Sequence, residues 1–169
     1  MALLAGCLAP DPTVASDDMS DAGYEDDRRR CSGFGGALVV AAAGNDGSRS
    51  VKAYPAAEGA YGLISVAASA SDGRLAGFSN SGSWVQVAAP GVGITSSVPG
   101  GWGTGSGTSM ATPLVSGVAA LLRAQTPTLN AADLVRCLSR TGRSLDNTSI
   151  RQLDAQAVLL AVGNRSLCR

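Results

Sequence analysis

The chain contains no histidine in its 169 residues. Imidazole, the side chain that most often takes a proton near neutral pH, is therefore excluded. Lysine is almost absent as well: Lys52 is the only one, and it lies in a polar stretch rather than an apolar one. Acidic and basic residues balance at 13 each, which argues against a nucleic-acid binder. The four cysteines, Cys7, Cys31, Cys137 and Cys168, are too far apart for metal-ligand spacing. No carboxylate cluster compensates, so neither a metal nor a cofactor is expected. Three disulfide pairings remain open, and Cys137, within a helical pattern, reads as a small buried hydrophobe. No apolar run is long enough for a transmembrane segment. Aromatic residues make up only 4% of the chain while glycines number 22, as in a loop-rich α/β fold of small residues. The length and the 45% hydrophobic content fit one globular domain with a sizeable core.

What the chain does have is concentrated in two stretches. The first is Gly107-Thr108-Ser109-Met110-Ala111-Thr112-Pro113, followed by the apolar run Leu114 to Leu122. A glycine-rich loop, Gly100 to Gly107, delivers a serine to the first turn of a helix. An apolar surround predicts a helix packed on all sides. Backbone N–H groups at a helix start lack internal partners and carry partial positive charge. The Ser109 N–H is then available to an oxyanion formed when its own Oγ attacks a carbonyl. Pro113 is placed in or beside the first turn, where a missing N–H costs least. Taken alone, Gly-Thr-Ser is also ordinary helix-cap chemistry.

The second stretch is Leu38-Val39-Val40-Ala41-Ala42-Ala43-Gly44-Asn45-Asp46-Gly47. Leu38 to Ala42 reads as a strand buried on both faces, as in a parallel sheet. Asn45 follows its C-terminal end, the edge where open α/β sheets bind ligands. Its amide offers two N–H donors, as an oxyanion hole requires, although Asn-Asp-Gly is also ordinary turn chemistry.

Together these two motifs, with Ala88-Ala89-Pro90-Gly91-Val92 between them, resemble the subtilisin-like serine proteases over roughly residues 36–162. The resemblance implies a partial subtilisin-like three-layer α/β fold: a mainly parallel sheet, flanking helices and a β-hairpin before the serine helix. It implies Ser109 as nucleophile and Asn45, with the Ser109 N–H, as oxyanion hole. Ala42, Ala43, Gly44 and Thr108 would bind substrate, a peptide or protein. A secreted or cell-envelope location is implied as well.

The family's triad runs Asp, His, Ser along the chain, and here the Asp and His are missing. Serine Oγ is a poor nucleophile without a base. The leading expectation is therefore an inactive fragment, or one that needs an upstream half-domain supplying Asp and His. A non-catalytic peptide- or partner-binding pseudo-protease is the alternative. A carboxylate-based peptidase resembling the sedolisins is a second, with Asp21 and Glu25 at helical spacing, though that family typically carries Asp at the Asn45 position. Half a domain should also expose a sheet edge and an apolar face.

Residues 1–35 are acidic and polar and predict a flexible arm. Leu3-Leu4-Ala5-Gly6-Cys7 looks like a lipoprotein box, but its leader is short and carries no Lys or Arg. Residues 36–163 form the peptidase part and 164–169 a tail. Further strands are expected at Leu63 to Ala67 and Trp84 to Ala89, and a hairpin at Ile94 to Thr104. Asn130 should cap a helix with Leu134, Val135 and Leu138 facing inward. Residues 141–150 read as a polar loop, and a last short helix runs to Val162.

Overall fold

The computed structural model describes residues 37–145 and 148–161, together with the backbone of Leu3–Leu4. The expected tail, the lipoprotein-like Cys7 and the carboxylates Asp21 and Glu25 lie outside the described residues. Of the expected arm, Leu3–Leu4 forms β1, paired antiparallel to β2 (Val39–Ala42) with Leu3 opposite Val40.

The long apolar runs become the centre of a five-stranded sheet. β2 lies parallel to β3 (Leu63–Ser69), with Val40 beside Ile64. β3 lies parallel to β4 (Val87–Pro90), with Ala67 beside Ala88. β5 (Ile94–Val98) and β6 (Gly101–Gly105) form the expected antiparallel hairpin. β7 (Arg151–Gln152) completes the sheet in the order β1-β2-β3-β4-β7. Every residue of β3 is buried, which is why its sequence runs apolar without alternation.

Two strand expectations change. β4 begins at Val87 rather than Trp84 because Ser65 engages the preceding residues differently. Its N–H donates to Gln86 Oε1 at 2.9 Å and its hydroxyl to the Trp84 carbonyl. A side-chain amide thus stands where a ladder carbonyl would. β7 was unforeseen, since two polar residues carry no strand pattern. The polar loop before it also buries Leu145 and Ile150 completely or nearly so.

Three helices cover one face of the sheet: α1 (Thr108–Gln125), α2 (Ala131–Arg140) and α3 (Ala155–Ala161). Val115 and Leu122 of α1, Leu134 and Leu138 of α2, and Val158 of α3 meet Val40, Ile64, Val66 and Val87 in one core. Val135 packs against it half-buried. Ala43, Ala67, Ala88, Leu145 and Ile150 form a second core on the opposite face, where Trp84 packs. Among the described residues this second core is built from strand and loop residues.

Asn130 caps α2 as expected and forms a reciprocal box. Its Oδ1 accepts from the Asp133 N–H at 2.9 Å, and its own N–H donates to Asp133 at 3.3 Å. Cys137 is fully buried on α2 but is disulfide-bonded, which corrects its reading as a simple hydrophobe. The other three cysteines lie outside the described residues.

α1 departs from expectation twice. Pro113 sits beside the first turn, in the second and inside the helix, where a missing N–H is not the least costly. Its missing N–H therefore withholds the i→i−4 bond from the Ser109 carbonyl. Nor is α1 packed on all sides. Pro113, Leu114, Gly117, Ala120, Leu121 and Ala124 are exposed, with Leu121 at 55%. An apolar composition cannot distinguish a face already covered from one still awaiting a cover.

Candidate active site

The parallel strands all point their C-terminal ends toward one edge, and the two sequence motifs meet there. β2 stops at Ala42 and leads through Gly44 to Asn45. β4 stops at Pro90 and leads into Gly91. Gly91 donates its N–H to the Ser69 carbonyl at 2.9 Å and accepts from the Gly107 N–H at 2.8 Å. A Cβ on Gly91 would stand 2.6 Å from that of Ala68 and 2.8 Å from the Gly107 oxygen. Only glycine lets the serine loop lie this close to the sheet.

Gly107 occupies the N-cap of α1 and has no side chain to cap with. Asn45, 63 residues before Thr108 in sequence, supplies the cap: its Oδ1 accepts from the Thr108 N–H at 2.9 Å. The same oxygen accepts from Thr108 Oγ1 at 3.0 Å. Thr108 Oγ1 in turn accepts from the Gly44 N–H at 3.3 Å. With its carbonyl side held twice by Thr108, the Asn45 amide must turn its Nδ2 donors the other way. Among the described residues neither Nδ2 nor the Ser109 N–H has an acceptor. Ser109 and Asn45 are both exposed. An accessible hydroxyl at a helix start thus stands with two uncommitted N–H donors beside it.

The residues expected to bind substrate divide by depth. Ala42 and Gly44 are half-buried and open to the surface, whereas Ala43 between them is fully buried, as strand alternation requires. Thr108 is also fully buried, with its N–H and its hydroxyl both turned to Asn45 Oδ1. Lys52 is exposed. Among the described residues no side chain hydrogen-bonds the Ser109 hydroxyl.

One residue of the site escaped the sequence. Asn80 is fully buried and fixes the loop that follows Asn45. Its Oδ1 accepts from the Asp46 and Ser48 N–H groups at 3.0 and 3.1 Å. Its Nδ2 donates to the Ala43 carbonyl, to Asp46 Oδ2 and to the Val51 carbonyl at 3.0–3.3 Å. Gly44, at φ +102°, passes so near Asn80 that a Cβ there would run into its amide. Within Phe78-Ser79-Asn80-Ser81-Gly82 nothing marks this asparagine as internal, because all its partners lie about 30 residues earlier.

An α/β sheet with a serine at a helix start and an amide beside it at the strand ends defines the serine-hydrolase class of site. The sequence model of the subtilase family, Peptidase S8, matches residues 10–164, and the chain belongs to that family of serine proteases. The match opens at residue 10, inside the segment expected to be an arm.

Among its relatives, subtilisin E of Bacillus subtilis is 44% identical over 117 residues, which are 67% of this chain and 30% of that protein. Halolysin of Haloferax mediterranei is 46% identical over 121 residues, 68% of this chain and 22% of that protein. A protease structure from Pseudoalteromonas arctica superposes with a TM-score of 0.69 at 31% identity, covering 88% of this chain and 49% of that one. The protease domain of PatA, as its S218A mutant, gives 0.70 at 27% identity, covering 90% and 56%. The chain therefore spans less than a third of the length of these curated relatives and about half of the solved ones.

Proposed function

We propose that this chain is the nucleophile-bearing part of a serine endopeptidase domain. Ser109 Oγ attacks the scissile carbonyl, and collapse of the tetrahedral adduct breaks the peptide C–N bond, leaving an acyl-enzyme and releasing the amine, which takes up the proton that Oγ gave up. The Asn45 Nδ2–H and Ser109 N–H donate to the oxyanion that develops on the way. Ala42 and Gly44 supply the wall beside the residue that precedes the scissile bond. The observation that carries this reading is the pair of free donors flanking an exposed hydroxyl, with Thr108 holding the amide in that orientation.

Attack also requires the Oγ proton to leave. The chain has no imidazole to take it, and in subtilisin loss of the histidine alone lowers turnover about a millionfold. The proton acceptor and its aspartate come from a complementing half-domain that precedes this part in the family's chain order. A secreted location suits the disulfide at Cys137, since such bonds persist in oxidising compartments.

The test is casein hydrolysis and fluorophosphonate labelling, by the chain alone and with a complementing segment. The isolated chain should show neither above background. The mixture should show both, and Ser109→Ala should abolish both. Rapid labelling of Ser109 in the isolated chain would refute the missing acceptor. A mixed complex that stays inert would refute the catalytic reading in favour of a binding module.

A further inference from the structure

The hairpin of β5 and β6 stands apart from the main sheet. It carries Trp102, which at 79% is the most exposed large hydrophobic side chain among the described residues. The two faces of the hairpin differ in kind. Thr95 pairs with Thr104 and Ser97 with Trp102, so alternation puts these four on one face. The Thr95 and Thr104 hydroxyls meet there at 3.1 Å, and all four residues are exposed. The other face sets Ile94, Ser96 and Val98 against Gly105, Gly103 and Gly101. A Cβ on Gly103 would stand 3.0 Å from Val98, and one on Gly105 would stand 2.9 Å from Met110 Cε. The Trp102 face is therefore the one opposite Met110, the neighbour of Ser109.

We propose that the Trp102 face of this hairpin binds a neutral polysaccharide, whether or not Ser109 is catalytically competent. The face of an indole carries a negative quadrupole, which attracts the electron-poor C–H groups on the flat side of a pyranose ring. Gly101 and Gly103 flank Trp102 along β6, so no side chain beside it on the strand shades the ring. Ser97 stands across from Trp102, about 5 Å away between Cβ atoms, and Thr104 stands about 7 Å along the strand. Each hydroxyl both donates and accepts, as do the hydroxyls that rim a sugar ring. Charge and patch shape select against other partners. No residue from 75 to 122 is charged, so the platform offers an anionic polymer nothing to pair with. A membrane contact needs apolar side chains massed on one side. Val98, the hairpin's other exposed large hydrophobic at 47%, lies on the opposite face, and the companions of Trp102 are hydroxyls.

The probes are hydroxyethylcellulose and galactomannan, two soluble neutral polysaccharides, each cast into native gels through which the full chain is run. Retardation by at least one is expected, together with a change in tryptophan emission when that polymer is titrated into the chain. The sequence has two tryptophans, and Trp84 packs on the second core, so the emission change reports Trp102. Trp102→Ala should abolish both signals at an unchanged Tm, because its side chain lies in solvent. Trp102→Phe should keep part of the retardation, and Thr104→Val should weaken it severalfold. Val98→Ala, on the opposite face, should leave it intact and serves as the control. No retardation by either polymer, or retardation that survives Trp102→Ala, would overturn the proposal. So would Trp102-dependent sedimentation with phosphatidylcholine vesicles, because the face would then be a membrane contact.

Discussion

Thr108 links three parts of the site while staying out of contact with solvent. Its backbone and hydroxyl both hold Asn45 Oδ1, and its hydroxyl also receives the Gly44 N–H. Thr108→Val keeps the shape but removes the hydroxyl, leaving the Gly44 donor without its partner. The expected loss of stability is about 1–3 kcal/mol, or roughly 2–12 °C in Tm for a chain of this size. Thr108→Ser should recover most of it. Thermal denaturation of the three proteins decides the matter, and equal Tm values for Val and Thr would show the clamp to be idle. In the reconstituted pair, Asn45→Ala should cost on the order of 100- to 1000-fold in turnover, as loss of the equivalent donor does in subtilisin. The sequence marked Ser109 and Asn45 because each stands at a boundary its neighbours announce. It did not mark Asn80, and it said nothing of the depth of Thr108, because burial of a small polar side chain is decided by what packs on it from elsewhere.

At the scale of elements, legibility followed length and periodicity. The buried strands β2 and β3, the hairpin of β5 and β6, and all three helices were visible as apolar runs, turn residues or caps. β7 was not, since a two-residue edge strand is specified by its neighbour rather than by its own residues. α1 was found with Pro113 beside its first turn, but inside the helix, which frees the Ser109 carbonyl instead of sparing an N–H already unused. The α2 cap was read from Asn130, and the structure adds the reciprocal bond from Asp133 that makes it a capping box. Asn130→Ala should cost about 1 kcal/mol, near 2–4 °C. Thermal melts that show no difference would mean that α2 is held by Leu134, Leu138 and Cys137 alone.

At the scale of the molecule, the described residues build one α/β unit whose helix-side core joins all three helices to the central strands. No described helix is long and apolar enough to cross a membrane. The disulfide at Cys137 anchors α2 covalently, as suits a small core with one helix face left open. Reduction should lower stability by about 2–4 kcal/mol, on the order of 10 °C in Tm. Calorimetry with and without a phosphine reductant measures this, and unchanged melting would show that the buried packing around Cys137 suffices.

By itself the sequence determined the chemistry available: a serine with helix-start donors, an amide at a strand end, and no imidazole. These are properties of residue types and of local spacing, which chain order alone conveys. Only the tertiary structure decided which way the Asn45 amide points, how deep Thr108 lies and which side of α1 is bare. Each of those depends on atoms brought together from distant segments, and a run of apolar letters reads the same whether its partner is in place or still to come.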